Sequence, residues 1–362
     1  MRVHIFIISI LVLVLLTSCL SYRASVISEE GVYYFQKVDI GGIKQSVMIR
    51  GQDKNNPVML YLHGGPGYPL FPLDDEPGGV MKQLETSFTM VYWEQRGTGS
   101  SYSRQLSGQP LTIDDFVQDT RKLVAHVKEL LDVEKVFLWG HSWGSNVGAL
   151  TAARYPELFH AYMSTGQSVK PFDNERLGYD FVLENAVREN NLRALRQLER
   201  IDTIPENYGL RDALLLRRWV YHYGGIVEEG AEERSYISPA DIFSVLTAPQ
   251  YSIFDIVNMV IKPVYSIDAL WDDLMNLNLT REAPRINVPV VFMVGKQDVI
   301  VSADLAIDYF QKLKAPKGKE LILFEESAHR PHNEQTDKFL NAIEKYIMPL
   351  AGSETETGNG EK

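Results

Sequence analysis

The sequence predicts an α/β protein: a mostly parallel central sheet with helices on both faces, interrupted by an inserted helical cap. Three observations carry that prediction. Short continuous apolar runs, as expected of strands buried on both faces, alternate with helical patterns up to Thr165. Between about Gln167 and Arg285 only helical segments read out. From Val288 to Ile347 the strand–helix alternation returns. An all-helical block inside such a pattern reads as a cap over the strand ends, where ligands bind in open α/β sheets. The expected division is a core over residues 31–166 and 286–350 and a cap over residues 167–285.

Composition narrows the function classes. A chain of 362 residues, 45% of them hydrophobic, can bury a large core. Its formal net charge of -11 argues against nucleic acid as a partner, because phosphate binding needs basic patches. No histidine pair has metal-ligand spacing, and there is no phosphate loop or dinucleotide fingerprint, so neither metal nor cofactor is expected.

The amino terminus reads as a targeting segment. After Arg2, residues Ile5 to Leu16 are apolar apart from Ser9. Crossing a bilayer takes about 20 residues, so this run suits a signal-peptide core better. It ends in Leu16-Thr17-Ser18-Cys19, which resembles a bacterial lipoprotein cleavage box. On that reading residues 1–18 are removed, Cys19 carries the lipid, and residues 19–30 form a tether. The body is then expected outside the cytoplasm, held to a membrane surface of a bacterial envelope. An ordinary signal peptide or an uncleaved anchor is the alternative. Cys19 is the only cysteine, so no internal disulfide can form.

The elements follow in order. Val32 to Phe35 and Ser46 to Ile49 flank the Gly41-Gly42 turn as a hairpin of edge strands. Pro57 to Leu62 and Phe88 to Trp93 are buried strands, each running into a glycine-rich loop. Thr112, with Asp115 three residues on, begins an amphipathic helix bearing Ile113, Phe116, Val117, Leu123, Val124 and Val127 on one face. Lys135 to Trp139 and Leu158 to Thr165 are the next strands. Helices over Leu192–Ile201, Leu210–Tyr223, Pro239–Leu246 and Ile267–Leu277 make up the cap. The last strands are Val288–Val294 and Glu320–Phe324, with helices over Ser302–Leu313 and Asn333–Ile347. Residues 351–362 are polar and read as a disordered tail.

Chemistry concentrates at Gly140-His141-Ser142-Trp143-Gly144. Between a buried strand and a small-residue helix, Gly-x-Ser-x-Gly suits a nucleophile elbow, a turn so tight that its flanking positions lack side chains. A serine hydroxyl needs a histidine to take its proton and a carboxylate to hold that imidazole. In the chain order serine, acid, histidine, the acid should follow a late strand. Asp298 sits in the turn after Val290–Val294, whereas Asp304 and Asp308 read as solvated helix charges. His329 follows the last strand by a short loop, and His332 reads as a surface or capping residue. His141 adjoins the serine, but adjacent residues on a sharp turn point apart. The oxyanion needs two N–H donors, expected from Trp143 and from Gly65 in His63-Gly64-Gly65-Pro66-Gly67.

Those segments, with Glu94-Gln95-Arg96-Gly97-Thr98-Gly99-Ser100, resemble the prolyl aminopeptidase (proline iminopeptidase) family of α/β-hydrolases from Tyr33 to Ile347. The resemblance implies release of an N-terminal residue, often proline, from short peptides or amides. It implies Ser142, Asp298 and His329 as the triad, and Gly65 and Trp143 as the oxyanion hole. Two departures stand out: Glu94 where the family usually has Asp, and His141 where it commonly has glycine. The family grips the substrate ammonium with cap carboxylates. Glu228, Glu229, Glu232 and Glu233, with the aromatic Trp219, are the candidates here, although their spacing favours a solvated acidic loop. An esterase, lactonase or amidase with the same triad is the alternative activity, and a surface binding protein without chemistry is the third reading. Activity is expected to fall in acid as the imidazole protonates.

Overall fold

A computed structural model describes residues 30–73, 78–106, 108–225, 239–262 and 264–351. The predicted signal segment, Cys19, most of the tether, the carboxylates from Glu228 to Glu233 and the tail beyond Ala351 lie outside the described residues. Strands run β1 (Val32–Ile40), β2 (Ile43–Gly51), β3 (Val58–Leu62), β4 (Thr89–Trp93), β5 (Val136–His141), β6 (Phe159–Thr165), β7 (Val290–Gly295) and β8 (Lys319–Phe324). They form one sheet of order β1-β2-β4-β3-β5-β6-β7-β8. β1, β2 and β4 pair antiparallel, and the remaining neighbours are parallel. This is the α/β-hydrolase fold.

The inner strands are buried on both faces, which is why they read as unbroken apolar runs. Helix α1 (Leu70–Leu73) and α2 (Val80–Leu84) lie between β3 and β4, and α3 (Ile113–Leu131) between β4 and β5. α3 starts where expected. The Thr112 hydroxyl accepts from the Asp115 amide, and the Asp115 carboxylate accepts from the Thr112 amide at 2.9 Å. α4 (Trp143–Arg154) follows β5 and is buried along most of its length, so small residues dominate it.

Between β6 and β7 come α5 (Pro171–Arg188), α6 (Leu192–Leu198), α7 (Leu210–His222), α8 (Pro239–Thr247), α9 (Ile253–Ile261), α10 (Tyr265–Ala269), α11 (Trp271–Asn276) and α12 (Leu279–Glu282). α5, α6 and α7 enclose a separate apolar cluster around Val182, Ala194, Leu216 and Trp219. The later part of this region belongs to the main core: Ile267, Leu270, Leu274 and Leu279 join the cluster of β3, β5 and α3. Asp273 accepts from the Ile113 amide at 2.6 Å, adding an acceptor at the positive end of α3. The chain closes with α13 (Ala303–Lys312), β8, α14 (Pro331–Glu334) and α15 (Thr336–Tyr346). The single late helix expected over Asn333–Ile347 is thus two, parted at Gln335.

Candidate active site

The elbow is built by close approach. An added Cβ at Gly144 would lie 1.9 Å from the Leu62 carbonyl oxygen, and one at Gly140 would lie 2.5 Å from that of Gly144. Any side chain at either position would push α4 off the sheet. Ser142 itself takes φ 53° and ψ -121°, a conformation that L residues rarely adopt. Its amide donates to the Thr165 carbonyl at 3.1 Å, fixing it against the end of β6. Ser142 is partly exposed while its neighbours on both sides are buried. A strained serine thus surfaces at the C-terminal edge of the sheet.

The late loops converge on the same turn. Asp298 and His329 are both buried, and Asp298 Oδ2 lies 2.8 Å from His329 Nδ1. Asp298 Oδ1 accepts from the amides of Ile300 at 2.9 Å and Val301 at 3.1 Å. Those donors orient the carboxylate and leave its other oxygen for the imidazole. The pairing assigns the proton to Nδ1, so Nε2 is free to accept. The His329 ring rests on Gly166: a Cβ there would stand 3.1 Å from its Cε1. Gly166 follows Thr165, which holds the Ser142 amide, so one turn touches both the serine and the histidine. Glu334 clasps the histidine loop, accepting from the Ser327 hydroxyl and the Ala328 amide, each at 2.6 Å, and from the Arg330 amide at 3.1 Å.

The loop after β3 sits on the other side of Ser142. A Cβ on Gly64 would be 3.2 Å from that of Ser142, and Gly65 follows with φ 115°. Trp143 is the first residue of α4, so its amide has no acceptor inside the helix. His63 is a strut here, not a base. Its Nε2 accepts from the Gln95 amide at 3.2 Å, which leaves Nδ1 to donate to the Gly64 carbonyl at 2.7 Å. Burial brings this imidazole down to about 4, so it stays neutral.

Several placements differ from expectation. His332 is no surface residue; it is buried against Trp139, His141 and Phe339. His141 does not point clear of the site either. Its ring centroid is 4.9 Å from that of His329, with Nδ1 3.1 Å from the Thr165 hydroxyl. Burial, then the neighbouring His332, His329 and Arg330, holds His141 well below the ordinary imidazole range. Burial does the same to His332. Trp219 lies inside the apolar cluster of α5, α6 and α7, donating to Gln197 at 2.9 Å and packing on His222 and Tyr223. None of these contacts joins it to Ser142 or His329.

The signature loop after β4 is largely structural. Arg96 makes a two-pronged ion pair with Asp119 of α3, both contacts at 2.8 Å. The extra methylene of Glu94 is absorbed within the loop: its carboxylate accepts from the Ser100 amide at 2.8 Å and the Ser100 hydroxyl at 2.9 Å. Tyr251, in the α8–α9 connection, donates to its other oxygen. Gln95 and Glu334 are the functional candidates that the sequence did not single out. No group of side chains suited to a metal ion occurs among the described residues.

Comparison with known proteins agrees with this architecture. An α/β hydrolase fold family matches residues 57–202. The chain is 33% identical over 321 residues to the probable aminopeptidase YbaC of Bacillus subtilis (strain 168), covering 88% of this chain and 97% of that one. Against the proline iminopeptidase of Heyndrickxia coagulans it is 23% identical, covering 86% of this chain and 98% of the relative. The crystal structure of a proline iminopeptidase from Mycobacterium smegmatis superposes with a TM-score of 0.61 at 17% identity, covering 88% of this chain and 98% of that chain. The chain belongs to the prolyl aminopeptidase (proline iminopeptidase) family of α/β-hydrolases. It is a hydrolase.

Proposed function

We propose that the protein is a serine aminopeptidase that releases N-terminal residues, proline among them, from short peptides or amides. The observation that carries this reading is the 2.8 Å Asp298–His329 pair resting on the turn that also holds the Ser142 amide. His329 Nε2 takes the Ser142 proton as Oγ attacks the substrate carbonyl. Asp298, acceptor-only when ionised, keeps the proton on Nδ1 and stabilises the imidazolium. The amides of Gly65 and Trp143 receive the developing oxyanion, a contribution of about 2.7–4 kcal/mol per donor in related chemistry. His329 then protonates the leaving amine, and water returns by the same base to release the acid from the acyl-enzyme.

The aminopeptidase reading leans on the family and on the cap. Glu175, a buried cap carboxylate, is already engaged by Tyr208 at 2.7 Å and Arg217 at 2.9 Å, so it is poorly placed to take an ammonium. The carboxylates of Glu228, Glu229, Glu232 and Glu233 remain the candidates for the ammonium. The engagement of Glu175 also keeps an esterase, lactonase or amidase activity as the second reading. The decisive experiment pairs free-amine with N-acylated substrates, beginning with a proline arylamide. Faster turnover of the free amine, abolished in Ser142→Ala, supports the peptidase; equal or faster turnover of the blocked substrates refutes it. No labelling of folded protein by a fluorophosphonate would refute the triad altogether.

The same proposal places the protein on the outer side of a bacterial membrane, anchored by a lipid on Cys19. Mass analysis of the mature amino terminus tests this: an unmodified Cys19, or no cleavage before it, contradicts the anchor.

A further inference from the structure

The connection between α7 and the active-site rim carries an apolar surface that the described residues leave open. On α8, Ile242, Phe243 and Leu246 are exposed, Phe243 at 66%. On α9, Ile253, Phe254, Val257, Val260 and Ile261 are exposed, Phe254 at 76% and Val260 at 72%. The opposite sides of the helices hold them in place: Val245, Ile256 and Met259 pack on the core cluster of Phe71 and Tyr251. Asp255 is the only charge on α9, and Lys37 of β1 reaches it at 3.5 Å. The outward stripe of α9 is apolar throughout while its two polar residues, Asp255 and Asn258, lie on the less exposed side, the reverse of a helix whose outer face meets water. Water-exposed patches of this kind mark an interaction surface.

We propose that the outer face of α8 and α9 docks on a lipid bilayer. On the lipid anchor proposed at Cys19, on which this inference rests, residues 20–29 alone separate the anchor from the described chain. Fully extended, that stretch spans at most about 35 Å. It leads into β1, the outer strand of the sheet, whose Lys37 makes the contact with α9. A membrane holding the amino terminus therefore meets this face at high effective concentration, which a second copy of the chain does not share. No helix among the described residues is long and apolar enough to cross a membrane, so the face lies in the interface instead of spanning it. Asp255 is paired and neither α8 nor α9 carries a basic residue, so docking is hydrophobic and needs no anionic lipid. α10, which follows α9, meets the glycine-rich loop after β3: a Cβ added at Gly67 would stand 3.6 Å from that of Ser266.

The test uses the full chain on phosphatidylcholine–phosphatidylethanolamine vesicles with brominated acyl chains. Phe254→Trp reports from the face, and Val187→Trp, exposed on α5, is the control. The expected result is a blue-shifted difference emission for Phe254→Trp, quenched several-fold more by the brominated lipid than the control and unchanged by salt. Water-like emission, quenched equally by aqueous acrylamide at both positions on floated vesicles, overturns the docking while leaving the anchor intact. Failure of the chain to float overturns both. Shielding without vesicles also overturns docking, by a second copy if it fades on dilution and by the chain's own residues if it does not. Turnover of a soluble substrate by Phe254→Trp reads the catalytic assignment separately.

Discussion

The side chain of Gln95 is bonded to that of Trp143: its Oε1 accepts from the indole Nε1 at 2.8 Å. Its Nε2 donates in turn to the His63 carbonyl at 3.2 Å. One amide thus ties the loop of Gly65 to the first residue of α4, the two sources of the proposed oxyanion donors. Gln95→Leu removes both bonds and leaves the indole N–H buried without a partner. The expected outcome is a kcat lower by roughly 10–100-fold with KM little changed, because the donors matter most in the transition state. Steady-state kinetics on folded protein check this, and a rise in KM alone would speak against the bridge.

Glu334 acts on the histidine at one remove. Its three acceptor contacts hold Ser327, Ala328 and Arg330 around His329. In Glu334→Ala those donors lose their partner, at a stability loss of about 1–3 kcal/mol. Turnover should fall more than stability explains, since His329, the proposed base for Ser142, loses the loop that fixes its position. Melting curves and kcat measured together separate the two effects.

Close approach at the elbow makes a steric prediction. With the Leu62 carbonyl oxygen 1.9 Å from its added methyl, Gly144→Ala has to move α4 or β3. A loss of several kcal/mol is expected, at or beyond the upper range of ordinary single substitutions. Gly42→Ala, where nothing lies within 4 Å, should lose only about 1 kcal/mol from its backbone conformation. Similar melting temperatures for the two variants would contradict the tight elbow.

Glu94 gives a pH signature. Burial pushes its carboxyl up to about 7 from an ordinary 4.5, against the pull of the Tyr251 and Ser100 donors. The folded chain therefore holds this proton more tightly than the unfolded one. Its contribution to stability is complete below about 4.5 and is lost as pH rises through about 7. Glu94→Gln, which keeps acceptor and donor atoms in place, should flatten that part of the stability profile. Denaturant titrations at several pH values read the slope, and an unchanged slope would assign it elsewhere.

Most of the sheet was legible because its signals are local. A run such as Val58–Leu62, five apolar residues ending in a glycine-rich loop, reads as a strand buried on both faces, and the serine between Gly140 and Gly144 reads as a sharp turn from its place between a strand and a small-residue helix. Asp298 and His329 followed from chain order, since each sits in a turn after a late strand. What escaped depends on distant partners. Gln95 and Glu334 look like ordinary loop and helix residues until folding brings His63, Trp143 and the Ser327–Arg330 loop around them. His332 looked like a surface group because its neighbour Trp139 is almost two hundred positions earlier. α5 carries its few buried apolar residues on a weak stripe among charges, and α9 is a short, mostly apolar segment with only Asp255 and Asn258 polar, so neither was read as a helix.

The bond from the Ile113 amide to Asp273 bears on any attempt to exchange lids between relatives. A graft that replaced everything from β6 to β7 would strip α3 of an acceptor and take Ile267, Leu270 and Leu274 out of the scaffold they complete. The natural seam lies between α7 and α8, because Ala248 and Tyr251 belong to the second core cluster and Tyr251 donates to Glu94. Chimeras joined there should inherit a foreign lid on an intact body, whereas those joined near Arg285 should emerge as inclusion bodies.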